Sequence, residues 1–305
     1  MAQPQGFYQR WLSRQARGET LAAYVLVAPV LIGFLVFVAA PMLSTFWLSL
    51  HHYDLLSPPT WAGLDNFTWM LEDERLHKVL GNTLFFAAFA VTGNTALAVV
   101  LAAILNQKMP PALRTVFRAS FFFPSLVGLV FVAVIWKFLY HKDLGIINFY
   151  LNSLGIGCVP WLSSAGTVLY SVIILDVWKN VGFGMLIAMA GLQGISPEYY
   201  EAARIDGAGK LRQFFDITLP LLSPTILFLL VMNSIGAFRV FDSIVVLTNG
   251  GPGDSSRSIV MYIQELGFQD LDMGYASAVS LLLLAMVGII TIINFVASKH
   301  WTFYE

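Results

Sequence analysis

Asp176, Lys179, Asn180 and Phe183 lie within a long apolar stretch at the i, i+3, i+4, i+7 spacing of one helix face. Carboxylate and amide groups hydrogen-bond hydroxyls, and a phenyl ring stacks on the C–H face of a sugar ring. The set therefore suits a neutral polyhydroxyl ligand. Polar side chains inside apolar runs are costly and tend to face a cavity or a partner helix. The alternative is that Asp176 and Lys179 only neutralise each other between helices. In another run Asn233, Gly236, Ala237 and Val240 share a face. Asn233 is the second candidate for ligand contact. Small Gly236 and Ala237 leave room for a ring, or equally permit close helix packing. Arg239 and Asp242, three residues apart, can pair with each other. Ser125, beside Pro124, is placed to line the same cavity, and Asn94 is the least supported of these candidates.

Helices long enough to cross a bilayer must position these groups. Of the 305 residues, 57% are hydrophobic and only 11% are charged. A soluble domain carries about 25% charged residues, so this chain cannot cover a water-facing surface. About 20 apolar residues span the hydrocarbon. Six windows qualify: Leu21–Leu50, Val79–Leu105, Val116–Leu139, Thr167–Ala190, Leu219–Leu247 and Tyr275–Ala297. Windows of this length predict helices rather than barrel strands. The fold class expected is all-α, one polytopic membrane domain over residues 1–305 with six transmembrane helices. Prolines at 29, 41, 124 and 224 should bend or delimit the helices.

Lysine and arginine set the direction. With the N-terminus cytoplasmic, Arg10, Arg14, Arg17, Lys108, Arg114, Arg118, Arg204, Lys210, Arg212 and Lys299 fall inside. Only Arg75, Lys78, Lys142 and Arg257 fall outside. Both termini are then expected in the cytoplasm. The first apolar run is too long for a signal-peptide core and reads as a retained span. A net charge of −1 gives no basic field for nucleic acid. Cys158 is the single cysteine, and no histidine pairs with a Cys, Asp or Glu at ligand spacing, so no metal site is expected.

Residues 191–220 differ from the rest. Ser196, Pro197 and Glu198 read as a helix start. Gly207 and Gly209 stop that helix or turn it, and Leu211–Ile217 forms a second short helix. A short helix–turn–helix of this kind, exposed beneath a membrane domain, is either a docking knob or an amphipathic connector lying on the membrane surface. Its residues narrow the choice. Glu201-Ala202-Ala203, then Asp206-Gly207-Ala208, then Ile217 and Leu219-Pro220, resemble the "EAA" loop of ABC importer permeases. That family's pattern is Glu-Ala-Ala, three residues, Gly, nine residues, Ile, then Leu-Pro, and the chain keeps every position. Trp178, Gly191-Leu192-Gln193, Ile195 and the string Leu247-Thr248-Asn249-Gly250-Gly251-Pro252 are similar to the maltose-type carbohydrate permeases. The likeness covers roughly residues 20–300.

The resemblance implies a permease subunit in a bacterial inner membrane, importing a sugar or a sugar-like polyol. It implies a second, homologous permease, two ATPase subunits and an extracytoplasmic solute-binding protein. Glu201, Ala202, Ala203, Asp206, Gly207 and Ala208 would form the coupling element in the ATPase cleft. The fourth span would line the transport cavity, and the Gly250-Gly251-Pro252 loop would touch the binding protein, with the outside loops at about Tyr53–Lys78 and His141–Gly166 as further candidates for that contact. The chain has no Gly-x-x-x-x-Gly-Lys-Ser/Thr, so it is not expected to be an enzyme or to hold a cofactor. ATP and Mg are left to the partner subunits. Two rival readings are a secondary carrier or channel, which has no use for the knob, and a membrane-embedded enzyme. The enzyme needs clustered His, Asp, Glu or Ser near one interface, which the sequence lacks.

Overall fold

A computed structural model of the chain describes residues 22–303. Arg10, Arg14, Arg17 and Leu21 lie outside the described residues. The first helix, α1, runs Ala22–Ser49. It widens over Leu35–Ala39, where the Ala40 N–H donates to the Leu35 carbonyl. Pro41 follows at once; its ring crowds the preceding turn, and a widened turn relieves that clash. Strands β1 (His51–His52) and β2 (Thr60–Trp61) form an antiparallel hairpin. Helix α2 (Asp65–Glu72) is pinned to it by the buried amide of Asn66, which donates to the Ser49 and His51 carbonyls at 2.9 and 3.0 Å. Next come α3 (Glu74–Leu105), α4 (Pro111–Leu126), α5 (Leu129–Leu139), α6 (Ile146–Ser153) and α7 (Val168–Gln193). Helices α8 (Pro197–Ile205) and α9 (Lys210–Leu221) follow. The chain closes with α10 (Ser223–Phe238), α11 (Asp242–Leu247), α12 (Ile259–Phe268) and α13 (Met273–Ser298).

By length and composition α1, α3, α7 and α13 can each cross a membrane alone. Two further crossings require bent pairs, α4–α5 at 101° and α9–α10 at 68°. This corrects two of the expected windows. The third, 116–139, is not one helix: Val127 and Gly128 leave helical geometry. Pro124 removes a backbone donor just ahead of that break. The fifth, 219–247, ends as a helix at Phe238, and residues 242–247 form the separate α11. Hydropathy ran on past this corner because α11 is itself buried, packing Ile244 and Leu247 against α5 and α7.

Helix α7 is the centre of the bundle. Along its length α3 packs against it; α4 crosses it, and α10 packs on α3, α7 and α13. Residues Phe86, Val172, Leu175, Phe238 and Ile244 fill one core, and Val99, Met185, Leu192, Leu222 and Leu229 fill another toward α8. In lipid, small residues hold helices together by letting backbones approach. At Gly182 even a Cβ would collide with the Phe121 carbonyl and the Phe122 Cα of α4. Helix α1 rests chiefly on α13 and leaves its apolar side chains exposed.

Far from α8, a half-buried ionic cluster closes one end of the bundle. Arg75, at the start of α3, donates to Asp254 and to Glu265, each at 2.8 Å. Arg257 pairs with the same two carboxylates. Lys78 and Asn82 donate to the Gly253 and Asp254 carbonyls at 2.6 and 2.7 Å. The hydroxyls of Tyr262 and Tyr275 both donate to Asp73, at 2.6 and 2.7 Å. The cluster ties α3 to the loop 249–257 and to α12. The hydrogen bond from Arg75, joined by that from Arg257, outweighs partial burial and holds the Asp254 carboxyl below its ordinary value.

Two measurements follow from this packing. Gly182→Ala should lose about 1–3 kcal/mol by overpacking and lower the thermal midpoint of the detergent-solubilised complex. Gly81→Ala, where a methyl meets open space, should leave that midpoint near wild type. An unshifted midpoint for Gly182→Ala would mean that α4 does not cross α7 there. The second concerns pH. A lowered carboxyl stabilises fully above about pH 4 and loses that contribution only as pH falls through its depressed value. Amide-exchange protection of residues 249–257, corrected for intrinsic rates, should therefore stay constant from about pH 7 to about pH 5 and fall in Asp254→Asn. A protection change inside that window would show that other groups hold the loop.

Candidate functional site

Two sets of polar residues stand out from the apolar bundle. The first lies between α3, α7 and α10. One oxygen of the Asp176 carboxylate accepts from the Asn94 amide of α3 at 2.9 Å. The other accepts from Asn180, one turn along α7, at 3.0 Å. Among the described residues Lys179 makes no hydrogen bond or close ion pair, so the hydrogen-bond partners of Asp176 are two amides, while the lysine charge acts on the carboxylate from farther off. On the neighbouring face of α3, Thr95 accepts from Asn233 of α10 at 3.0 Å. Asn94 and Thr95 are both 5% exposed, whereas Asp176, Lys179, Asn180 and Asn233 are half-buried. Phe183 projects outward, 56% exposed.

The structure therefore sets Asp176 and Asn233 against adjacent positions of α3, with Asn180 bonded to Asp176 along α7. Oxygen lone pairs on the carboxylate and on both amides remain free to accept hydroxyl donors. Two other candidates sit differently. Ala237 is buried in the core with Phe86, Ala90 and Val132, so its side chain serves packing. Ser125 spends its hydroxyl on the Phe122 carbonyl at 2.7 Å. Val240 falls beyond the end of α10, and Gly236 is exposed. Asn94 and Thr95 are the residues the sequence underrated. Their signal is two adjacent polar side chains inside an apolar run.

The second set is the knob at the other end of α3. Ser196 caps α8 by accepting from the Glu198 N–H, and Pro197 stands in its first turn. The helix ends in a Schellman turn, with the Gly207 N–H on the Arg204 carbonyl and the Ala208 N–H on the Ala203 carbonyl, at 3.1 and 2.8 Å. That turn places Gly207 at φ +76°, a left-handed conformation in which any side chain is strained. Gln213 of α9 donates back to the Ala208 carbonyl at 2.7 Å, and the hydroxyls of Tyr200 and Thr218 lie 3.0 Å apart. Ala203, Asp206, Ala208, Gln213 and Asp216 line a notch of about 240 Å³ between the helices. Glu201 and Ala202 are exposed, with Arg204 at 3.9 Å from Glu201. Ile205, Leu211 and Phe215 are 86%, 77% and 59% exposed, an apolar surface that nothing within the chain covers.

Comparison with known proteins identifies the family. The family described as binding-protein-dependent transport system inner membrane component matches residues 94–299. The chain is 38% identical to the "Probable ABC transporter permease protein YesP" of Bacillus subtilis (strain 168), over 96% of this chain and 95% of that protein. It is 36% identical to the "Trehalose/maltose transport system permease protein MalF" of Thermococcus litoralis, over 90% and 92%. Its fold superposes on a chain of the crystal structure of a bacterial ABC transporter involved in the import of the acidic polysaccharide alginate. That match has a TM-score of 0.82 and 25% identity, over 96% of this chain and all of the other. With a helical bundle of four to six crossings and a match over most of its length, the chain belongs to the family of inner membrane components of binding-protein-dependent transport systems.

Proposed function

We propose that the chain is one permease subunit of an ATP-driven importer for a neutral, hydroxyl-rich solute, a sugar or a sugar-like polyol. The observation that carries this is the knob: an exposed apolar face on two short helices, the first capped at both ends, built into a chain that is otherwise suited to lipid. On this reading residues 1–305 form one transmembrane domain with six spans, both termini cytoplasmic, in a bacterial inner membrane. Residues 191–220 dock in a cleft of an ATPase partner through Glu201, Ala202, Ala203, Asp206, Gly207 and Ala208. A homologous permease completes the cavity, and a solute-binding protein delivers the cargo. ATP and Mg belong to the ATPase subunits, and the chain itself holds no cofactor and catalyses no reaction. ATP-driven closure of those subunits displaces the knob, and the bundle alternates between outward-open and inward-open states.

Solute contact is assigned to Asp176, Lys179, Asn180, Phe183 and Asn233, with Ala237 and Ser125 shaping the wall behind them. The names of relatives support a sugar: one carries trehalose and maltose in its name, and the structural neighbour imports alginate. An anionic solute is the second reading. It is favoured by Lys179, which has no ion-pair partner among the described residues, and by the acidic cargo of that neighbour.

ATP-dependent uptake by the whole complex in vesicles tests the knob. Glu201→Ala and Gly207→Asp should each reduce uptake about tenfold or more, a coupling loss of at least about 1.4 kcal/mol. Gly207→Asn, which tolerates the left-handed turn better than alanine does, should retain more uptake than Gly207→Ala. Normal ATP-driven uptake in Glu201→Ala and Gly207→Asp would show that the knob is not the power connection.

A further inference from the structure

We infer that Asn94 is a positioning residue for Asp176: by holding one carboxylate oxygen from α3, it fixes the direction in which Asp176 faces the solute and thereby sets solute preference. This rests on the reading of Asp176 as a solute contact. The carboxylate has two donors. Asn180 lies on the same helix, so its hydrogen bond moves with α7 and cannot orient Asp176 relative to the rest of the cavity. Asn94 lies on a different helix and holds the other oxygen at 2.9 Å. With both oxygens held, the carboxylate plane is set, and its unused lone pairs point away from the two amides.

The environment of Asn94 separates this role from simple cohesion. Its side chain is 95% buried, so it does not itself meet the solute. Its own oxygen is buried and has no hydrogen-bond partner among the described residues. The opposite amide orientation would set that oxygen against a carboxylate, so the donation to Asp176 decides which way the amide lies. A group retained only to glue helices would be satisfied at both ends, or replaced by a small residue. The nearby contacts between α3 and α7 do use small residues: Gly93 against Val177 and Ala98 against Gly184. Asn94 gives up one hydrogen bond at a site where those packing solutions lie within a turn of it.

The test uses the intact complex, with permeases, ATPases and binding protein, reconstituted in vesicles. Uptake kinetics are measured for maltose, trehalose, maltotriose and a diuronate. Asn94→Leu, nearly isosteric, should change the ratio of kcat/KM between two solutes about tenfold, in the same direction as Asp176→Asn. A merely structural role lowers uptake of all solutes in proportion and leaves the ratio alone. The swap Asn94→Asp with Asp176→Asn rebuilds the interhelical hydrogen bond with reversed polarity. It should restore the thermal midpoint while preference stays altered, because the charge now sits on α3. If Asn94→Leu fails to assemble, the swap decides; a wild-type preference there overturns the inference. So does an unchanged ratio in Asn94→Leu when Asp176→Asn shifts it. An unchanged ratio in Asp176→Asn, or no uptake of any probe by the wild type, overturns the solute reading itself.

Discussion

The close approach of α3 and α7 is the constraint to which the rest of the bundle conforms. Lipid tails are as apolar as leucine, so burial of apolar surface gives little drive for helices to associate within a membrane. Contact has to be gained by proximity, and small residues supply it. A Cβ on Gly93 would stand 3.0 Å from Val177, and one on Gly184 would stand 3.0 Å from Ala98. Ala87, Ala90, Ala98 and Ala102 are all buried along α3. Only within such a tight seam do Asn94 and Asp176 come within hydrogen-bonding distance. The same seam leaves a side of α3 for Thr95 and Asn233, so the polar ties depend on the packing.

The knob is joined to this seam by the chain itself. Helix α7 runs through a short turn into α8, and α9 runs through Leu222 into α10. The two helices that bear Asp176 and Asn233 are thus the two that enter and leave the knob. A displacement there passes into α7 and α10 directly, while α3 holds a polar residue of each. The stiffness of the joint matters for this. Within the knob, the Schellman turn, the Gln213–Ala208 bond and the Tyr200–Thr218 contact leave little slack between α8 and α9.

Hydropathy located α1, α3, α7 and α13 to within a few residues, because an uninterrupted apolar helix leaves a signal in every residue. Leu21, at the edge of the first window, lies outside the described residues. The knob was also legible: Ser196, Pro197 and Gly207 are local signals that act through backbone geometry. Of the corners, only the one after Pro124 had a local signal, and hydropathy ran through both. Breaks at Val127–Gly128 and at Arg239–Phe241 leave no polar stretch, since the segments beyond them are apolar too, α11 packed inside the bundle and α5 turning many of its apolar side chains outward. Ala237 suited ring space and close packing equally on its helical face, and only neighbours distant in sequence, such as Phe86, Ala90 and Val132, place it in the core. Asn94 gained weight for a similar reason, as its partner is 82 residues away. Arg75 and Asp254, separated by 179 residues, show no relation in the sequence beyond being charges in loops.

The ionic cluster at the far end of α3 carries charges of opposite sign in equal number: Arg75 and Arg257 against Asp254 and Glu265. Such a square is a quadrupole. Its contributions cancel at a distance, where its potential decays more steeply than that of any net charge, and physiological salt screens the remainder within about 8 Å. The bundle thus gains cohesion from four ionised groups while this cluster casts almost no field into the surrounding water. A molecule approaching that end is neither drawn nor repelled by the square until it is nearly in contact, so any longer-range pull there has to come from charges outside it, such as Lys78 and Asp73.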